Sequence, residues 1–224
     1  MIGSGFLALL QFIYLALGTI MTKTIFHHKE LEIKGIIVPE FDLNEGELIR
    51  IYVPNFNFEN SPLGFDLTIE LIKRFQNQKN EFPWAKYFQQ SSISLLFSPL
   101  TVGKYLIKKM KIDKQTAKEI AEEIGIELND RYEIIDFIDR RALIIKALFE
   151  KNESIIIDYY GISAEGIGKL ESVVNSEIEK GKSAIAFDRL EFKADKEPFK
   201  NIIPIEIKNC TQQDICDHSK QLEF

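Results

Sequence analysis

Apolar positions along the chain change period several times, and each change marks an element. From Leu31 to Val53, short apolar runs, "LEIKGIIVPEFDL" and "ELIRIYV", are parted by Pro39 and the turn residues "NEG", which is a pattern of strands. From Phe65 the spacing lengthens. Leu67, Leu71 and Phe75 recur at helical intervals, Ile72 widens the stripe, and Asp66 stands where a helix N-cap would. A strand, a turn and a helix thus follow one another in "GELIRIYVPNFNFENSPLGFDLTIELIKRF". From about Leu100 to Phe149 the pattern is mostly helical. Ala117, Ile120, Ala121 and Ile124 share a face that Gly125 is suited to end, and Ile138, Ala142, Ile145 and Phe149 share another. "SIIID", Ser154 to Asp158, suits a strand buried on both faces of a parallel sheet. A helix is expected from near Ser163, with Ile167, Leu170, Val174 and Ile178 on one side; "KSAIAF" and "IIPIEIK" read as two further strands. Strands alternating with helices predict an α/β domain whose central helices form a small lobe of their own.

Composition narrows the partners. The 224 residues, 45% hydrophobic and 28% charged, suffice for one sizeable core with an appended lobe. A formal net charge of -6 gives the chain as a whole no attraction for nucleic acid or anionic lipid, so no nucleic-acid partner is expected. Two cysteines, Cys210 and Cys216, lie in a polar tail, 209–224, and fit free thiols in a reducing cytosol. With His218 they offer three ligands and no fourth, so no metal site is expected. The uncharged opening, "MIGSGFLALLQFIYLALGTI" (1–20), leaves two readings open. It is long enough to span a membrane, with Lys23, His27, His28 and Lys29 placing the remainder on the cytoplasmic side. Alternatively, translation starts at Met21. A cleaved secretory signal fits poorly, because no basic segment precedes the apolar run.

Four segments, in order, resemble the ATP-binding subunit of ATP-binding cassette (ABC) transporters, over residues 30 to 208 or so. "NEGELIRIYVPN" is similar to the strand entering the family's phosphate loop. "YFQQSSISLLFSPLTVGKYL" resembles its glutamine loop and the start of its helical lobe, with Gln90 at the glutamine. "RRALIIKALFEKNESIIID" looks like the helix after the signature motif and the Walker B strand ending at Asp158; "GISAEGIGKLESVVNSEIEKGKSAIAF" looks like the D-loop, its helix and the strand before the switch histidine. The resemblance implies a P-loop NTPase-like ABC ATPase fold: a central, mostly parallel sheet, an antiparallel β edge, and a helical subdomain at about 98–150 within a domain spanning 21–208.

What it implies about chemistry is mostly loss. A working phosphate loop, G-x-x-x-x-G-K-S/T, needs glycines so that backbone N–H groups can close on phosphate oxygens, and a lysine for countercharge. The matching positions here are Val53, Asn55, Phe56, Phe58, Glu59 and Asn60. Glutamate in place of lysine turns about 4 kcal/mol of attraction at ~4 Å and an effective dielectric of ~20 into comparable repulsion. Phe56 and Phe58 are expected to pack into the core. Asp158 matches the magnesium-holding aspartate, but Tyr159 stands where the catalytic glutamate belongs, and a phenol is no base at neutral pH. Ser163 replaces the D-loop aspartate, and a residue near Phe187 or Asp188 replaces the switch histidine. The signature falls on Ile134, Ile135, Asp136, Phe137 and Ile138, without paired glycines. No catalytic residue is therefore expected; Asn55, Glu59, Asn60, Gln90 and Asp158 mark only where a nucleotide site would be.

In that family two subunits meet head to tail around the nucleotides, and both halves of the composite site are altered here. The expectation is a degenerate ABC ATPase-like protein, a non-hydrolysing structural or regulatory partner of a transporter. It would work at the inner face of the membrane, beside a membrane subunit or a second ATPase subunit, without a cofactor. The alternative is an ABC ATPase subunit that binds and hydrolyses Mg-ATP through displaced residues such as Arg50, Lys73 or Lys104, all three of which are expected on solvated faces.

Overall fold

The computed structural model describes residues 23–56, 63–78, 82–91, 95, 98–189, 202–203 and 206–207. Residues 1–20, the 209–224 tail with Cys210, Cys216 and His218, and Phe58, Glu59 and Asn60 lie outside the described residues.

Five strands come first: β1 (Thr24–His28), β2 (Leu31–Ile33), β3 (Ile36–Val38), β4 (Phe41–Asn44) and β5 (Leu48–Val53). Strand β1, "TIFHH", is missing from the sequence-based expectation because its pattern is masked by a histidine. His28 is fully buried and takes the place of an apolar residue, its ring 4.7 Å from that of Phe75 and 5.0 Å from that of Phe41. β1 pairs with β4, and β2 with β3, both antiparallel.

Helix α1 (Gly64–Gln78) follows, burying Leu67, Leu71, Ile72 and Phe75 as the periodicity predicts. Asp66 is not its N-cap. It is the third helical residue, exposed in the first turn, where its charge still favours the helix dipole. A π-helical segment, Lys104–Lys109, and α2 (Lys114–Ile124) build the lobe. Asp113 caps α2 at its start, and Gly125 ends it at φ 85°, a left-handed conformation that suits glycine. Helix α3 (Phe137–Lys151) buries Ala142, Ile145 and Phe149 of the predicted stripe and also Leu143, Ile144 and Ala147, while Ile138 is partly exposed. Its buried Lys146 pairs with Glu123 of α2 and, at 2.5 Å, with Glu177. The chain continues through β6 (Ser154–Asp158), α4 (Ala164–Glu179) and β7 (Ser183–Arg189). The single last strand expected from "IIPIEIK" is two: β8 (Ile202–Ile203) beside β5 and β9 (Glu206–Ile207) beside β3. Pro204 between them lacks the N–H that a continuous ladder requires.

The central sheet is parallel, in the order β6-β7-β5-β8. Trp84 bridges Ile156 in the same sense, with the Ile156 N–H donating to Pro83 O and the Ala85 N–H to Ile156 O, both at 2.8 Å. One face of the sheet, including Ile49, Ile51, Ile156, Ile185 and Phe187, packs with α1 and with Phe26, Val38 and Leu43 of the antiparallel strands. The other, including Leu48, Ile155, Ile157, Ala184 and Ala186, packs with α3, α4 and the lobe. The strands are buried on both sides, so each reads as a continuous apolar run and not as an alternation.

Candidate functional site

In open parallel sheets ligands bind beyond the carboxyl ends of the strands. At that end β5 stops at Val53, and the Leu63 N–H donates to Asn55 O at 2.7 Å, closing the turn before α1. Phe56 does not enter the core; it is 56% exposed. A side chain leaving a buried strand at this point has solvent, and not the sheet, beneath it.

The start of α1 is covered from the neighbouring strand. Tyr160, two residues after β6, sets its ring 5.2 Å from that of Phe65, and the Arg189 guanidinium lies 5.5 Å from the Tyr160 ring. Gly64 has φ 37°, and a Cβ added there would lie 3.4 Å from the Tyr160 hydroxyl. The phenol therefore reaches the N-terminus of the helix, the end whose N–H groups would otherwise favour an anion.

Asp158 closes β6 and is 4% exposed. Its Oδ1 accepts from the Tyr160 N–H at 2.8 Å. The Arg141 guanidinium donates to the Asp158 backbone carbonyl and stands 3.9 Å from Oδ2. Burial pushes the Asp158 carboxyl above its ordinary value, outweighing the pull of Arg141 and of the Tyr160 N–H; burial likewise lowers Arg141. Tyr159 is fully buried. Its N–H donates to Phe187 O at 2.9 Å, its ring lies 5.2 Å from the Arg50 guanidinium, and burial pushes its hydroxyl up to about 12. A phenol held there stays protonated at neutral pH.

Arg50 overturns the expectation of a solvated cation. It is 5% exposed, and pairs with Glu171 of α4 and, at 3.7 Å, with Asp188 of β7. Its Nη1 also donates to the Tyr52 hydroxyl at 3.2 Å. Strand β5 is covered on both faces, so a cation at its centre must be matched by buried acids. That signal is legible in "LIRIYV", an otherwise apolar run, although the partners Glu171 and Asp188 are not. Lys73 and Lys104 are exposed, as expected.

Gln90 has a structural task. Its side-chain amide donates to Ser98 O at 2.8 Å and accepts from the Leu100 N–H at 3.1 Å, clasping the entry to the lobe. Its backbone N–H donates to Glu133, which in turn accepts from Arg140 at 2.8 Å. The stretch matched to the signature leads into α3: Asp136 caps that helix by accepting from the Ile138 N–H, while Ile134 is 70% exposed. Ser163 caps α4, accepting from the Gly166 N–H at 3.2 Å. A groove of ≈ 950 Å³ opens at the opposite end of the sheet, lined by Lys23, Glu45, Gln76, Lys151 and Glu153 among others. None of the positions matched to a nucleotide site lies in it. Among the described residues there is no cluster of metal-ligating side chains, and no helix is long and apolar enough to cross a membrane.

No protein-family model matches the sequence, and no curated protein does. Solved structures do. A chain from an inward-facing structure of a metal-chelate type ABC transporter aligns with a TM-score of 0.58 over 88% of this chain and 88% of its own, at 10% identity. The chain has the fold of an ABC ATPase. An ATP-binding subunit of an ABC transporter aligns with a TM-score of 0.45 and 12% identity, over 72% of this chain and 77% of that one. So does cbiO1 from Clostridium perfringens, part of the transporter complex cbiONQ, with a TM-score of 0.42 and 13% identity, over 71% and 75%.

Proposed function

We propose that the chain is a non-hydrolysing ABC ATPase-like component of a transporter assembly, with a structural or regulatory role at the inner face of the membrane. Its partners would be a transporter membrane subunit, a second ATPase subunit, or both. The observation that carries this reading is Tyr159. The residue after the Walker B aspartate position is a buried phenol raised to about 12, beneath a guanidinium, and it cannot accept a proton from water at neutral pH.

The described residues also fit Mg-nucleotide poorly. Asp158 is buried, its carboxyl disfavours the charged form a cation needs, and Tyr160 with Phe65 covers the helix start that would face phosphate. Gln90 has both side-chain amide atoms engaged with the backbone at Ser98 and Leu100. What remains is a scaffold able to dock without turning over. Titration calorimetry of the purified chain with Mg-ATP tests this: absent or millimolar affinity is expected. Micromolar binding with phosphate release would overturn it in favour of a working ATPase subunit with atypical motifs. Co-purification of a membrane or ATPase subunit with the tagged chain tests the partner.

A further inference from the structure

One short segment of the helical lobe carries a charge opposite to that of the whole chain. From Lys104 to Lys114 five lysines are exposed, Lys104, Lys108, Lys109, Lys111 and Lys114, in a chain whose formal net charge is -6. A single acid lies among them, Asp113, whose carboxylate accepts from the Gln115 and Thr116 N–H groups. Among the described residues none of the five lysines is in an ion pair. Lys104 donates to Pro99 O at 3.3 Å, and Lys109 lies over the Phe88 ring. The next lysine, Lys118, is matched by Glu122 at 3.3 Å and marks the edge of the patch.

The backbone gathers these charges. The Lys104–Lys109 segment is π-helical, with the Met110 N–H donating five residues back to Tyr105 O at 2.9 Å. With that wider turn, residues four and five apart share a side, so Lys108 and Lys109 both fall near Lys104 while Tyr105 and Leu106 are buried. Lys111 follows at φ 60°, a conformation that glycine or asparagine would adopt more readily, and Lys114 opens α2.

We propose that this face of the lobe binds the anionic headgroups of a lipid bilayer. Clusters of four to eight basic residues beside partly apolar surface are suited to such membranes, and Ile107 and Met110, both partly exposed, lie within the run. All five cations are lysines. A hydrated point charge suits a diffuse layer of headgroups, whereas bidentate grip on a carboxylate would call for arginine. The aromatic in the run, Tyr105, is 3% exposed and offers no platform on which nucleic-acid bases could stack. The inference does not depend on the non-hydrolysing reading.

Sedimentation of the full chain with phosphatidylcholine vesicles, with and without phosphatidylserine, tests it. Binding that requires phosphatidylserine and is lost at high salt is expected. The variant Lys108→Gln/Lys111→Gln/Lys114→Gln, which spares the Lys104 and Lys109 contacts, should bind anionic vesicles on the order of 100-fold more weakly. Lys29→Gln/Lys73→Gln/Lys151→Gln, which removes as many charges elsewhere, should bind almost as the unaltered chain does. Equal binding to neutral and anionic vesicles, a lobe variant that binds unchanged, or capture of polyglutamate or single-stranded RNA in place of vesicles would each overturn the proposal.

Discussion

Replacing Arg50 with methionine removes the cation at the centre of β5 while keeping its length and most of its volume. What is lost is the pairing with Glu171, the approach of 3.7 Å to Asp188, and the hydrogen bond to Tyr52. The side chains of Arg50, Asp188 and Glu171 are 6%, 2% and 19% exposed, so solvent cannot take over the countercharge for Asp188. Removing one partner of a buried pair costs about 3–5 kcal/mol. For a domain of this size that lowers the melting temperature by roughly 6–20 °C. The cost belongs to the stranded charge and not to the loss of a favourable pair, because two desolvated ions barely repay their own dehydration. The triple replacement Arg50→Met/Glu171→Leu/Asp188→Leu should therefore recover to within about 1 kcal/mol of the starting stability, or exceed it. Urea unfolding followed by circular dichroism, with the three proteins compared at one pH, reads the difference. A single variant that loses less than about 1 kcal/mol, or a triple variant no better than the single, would refute the account of Arg50 as an enclosed, acid-matched cation.

Three further outcomes follow from the same physics. Burial raises the Asp158 carboxyl above its ordinary 3.8, so the folded state takes up a proton first as pH falls, and ionised Asp158 is a burden at neutral pH. Asp158→Asn also removes the countercharge of the buried Arg141, so both effects set its stability at pH ~7; relative to the unaltered chain it should lose ground as pH falls through the raised value, as read from urea midpoints. Burial holds His28 below its ordinary 6.5 against the pull of Gln78, so below that pH the unfolded chain binds a proton the folded state resists; stability should decline in acid, and His28→Phe should flatten that slope. Gln90→Ala leaves Ser98 O and the Leu100 N–H without their side-chain partner and should cost about 1–3 kcal/mol; hydrogen exchange at Leu100 would show the entry to the lobe loosening.

Elements were legible in the sequence wherever one face, or both, had to be apolar. Leu67, Leu71 and Phe75 announced α1; "SIIID" announced a strand covered on both sides; Ser163 and Gly125 marked ends of helices they do cap. Legibility failed where a polar residue behaves as an apolar one, or the reverse. His28 is packed among Phe41 and Phe75 and concealed β1, while Phe56 lies in solvent. Arg50 was misplaced for a related reason. The apolar run around it does signal enclosure, but the acids that match it, Glu171 and Asp188, lie more than a hundred residues away in sequence and are found only when the fold brings them beside it. The mostly parallel central sheet with its antiparallel edge could be anticipated through resemblance alone. The hydrogen bonds that occupy the Gln90 side chain could not, since they depend on how the backbone at Ser98 and Leu100 returns to it.

The polar residues around the strand ends divide by what satisfies them. A site kept ready for a ligand holds polar groups whose partners arrive with that ligand, and it bears the cost of leaving them exposed or unmatched until then. Here Asp158 is met by Arg141 and the Tyr160 N–H, Gln90 by Ser98 and Leu100, and Arg50 by Glu171, Asp188 and Tyr52. Each of these contacts is intramolecular and competes with magnesium or phosphate for the same side chains, although the Tyr159 hydroxyl and Arg141 Nε beside them are buried without a hydrogen-bond partner. A ligand binding there would first repay the loss of one or more buried, charge-assisted hydrogen bonds, at about 1.5–3 kcal/mol each, before gaining any affinity. That arithmetic favours a sheet end that stabilises its own fold over one that waits for nucleotide.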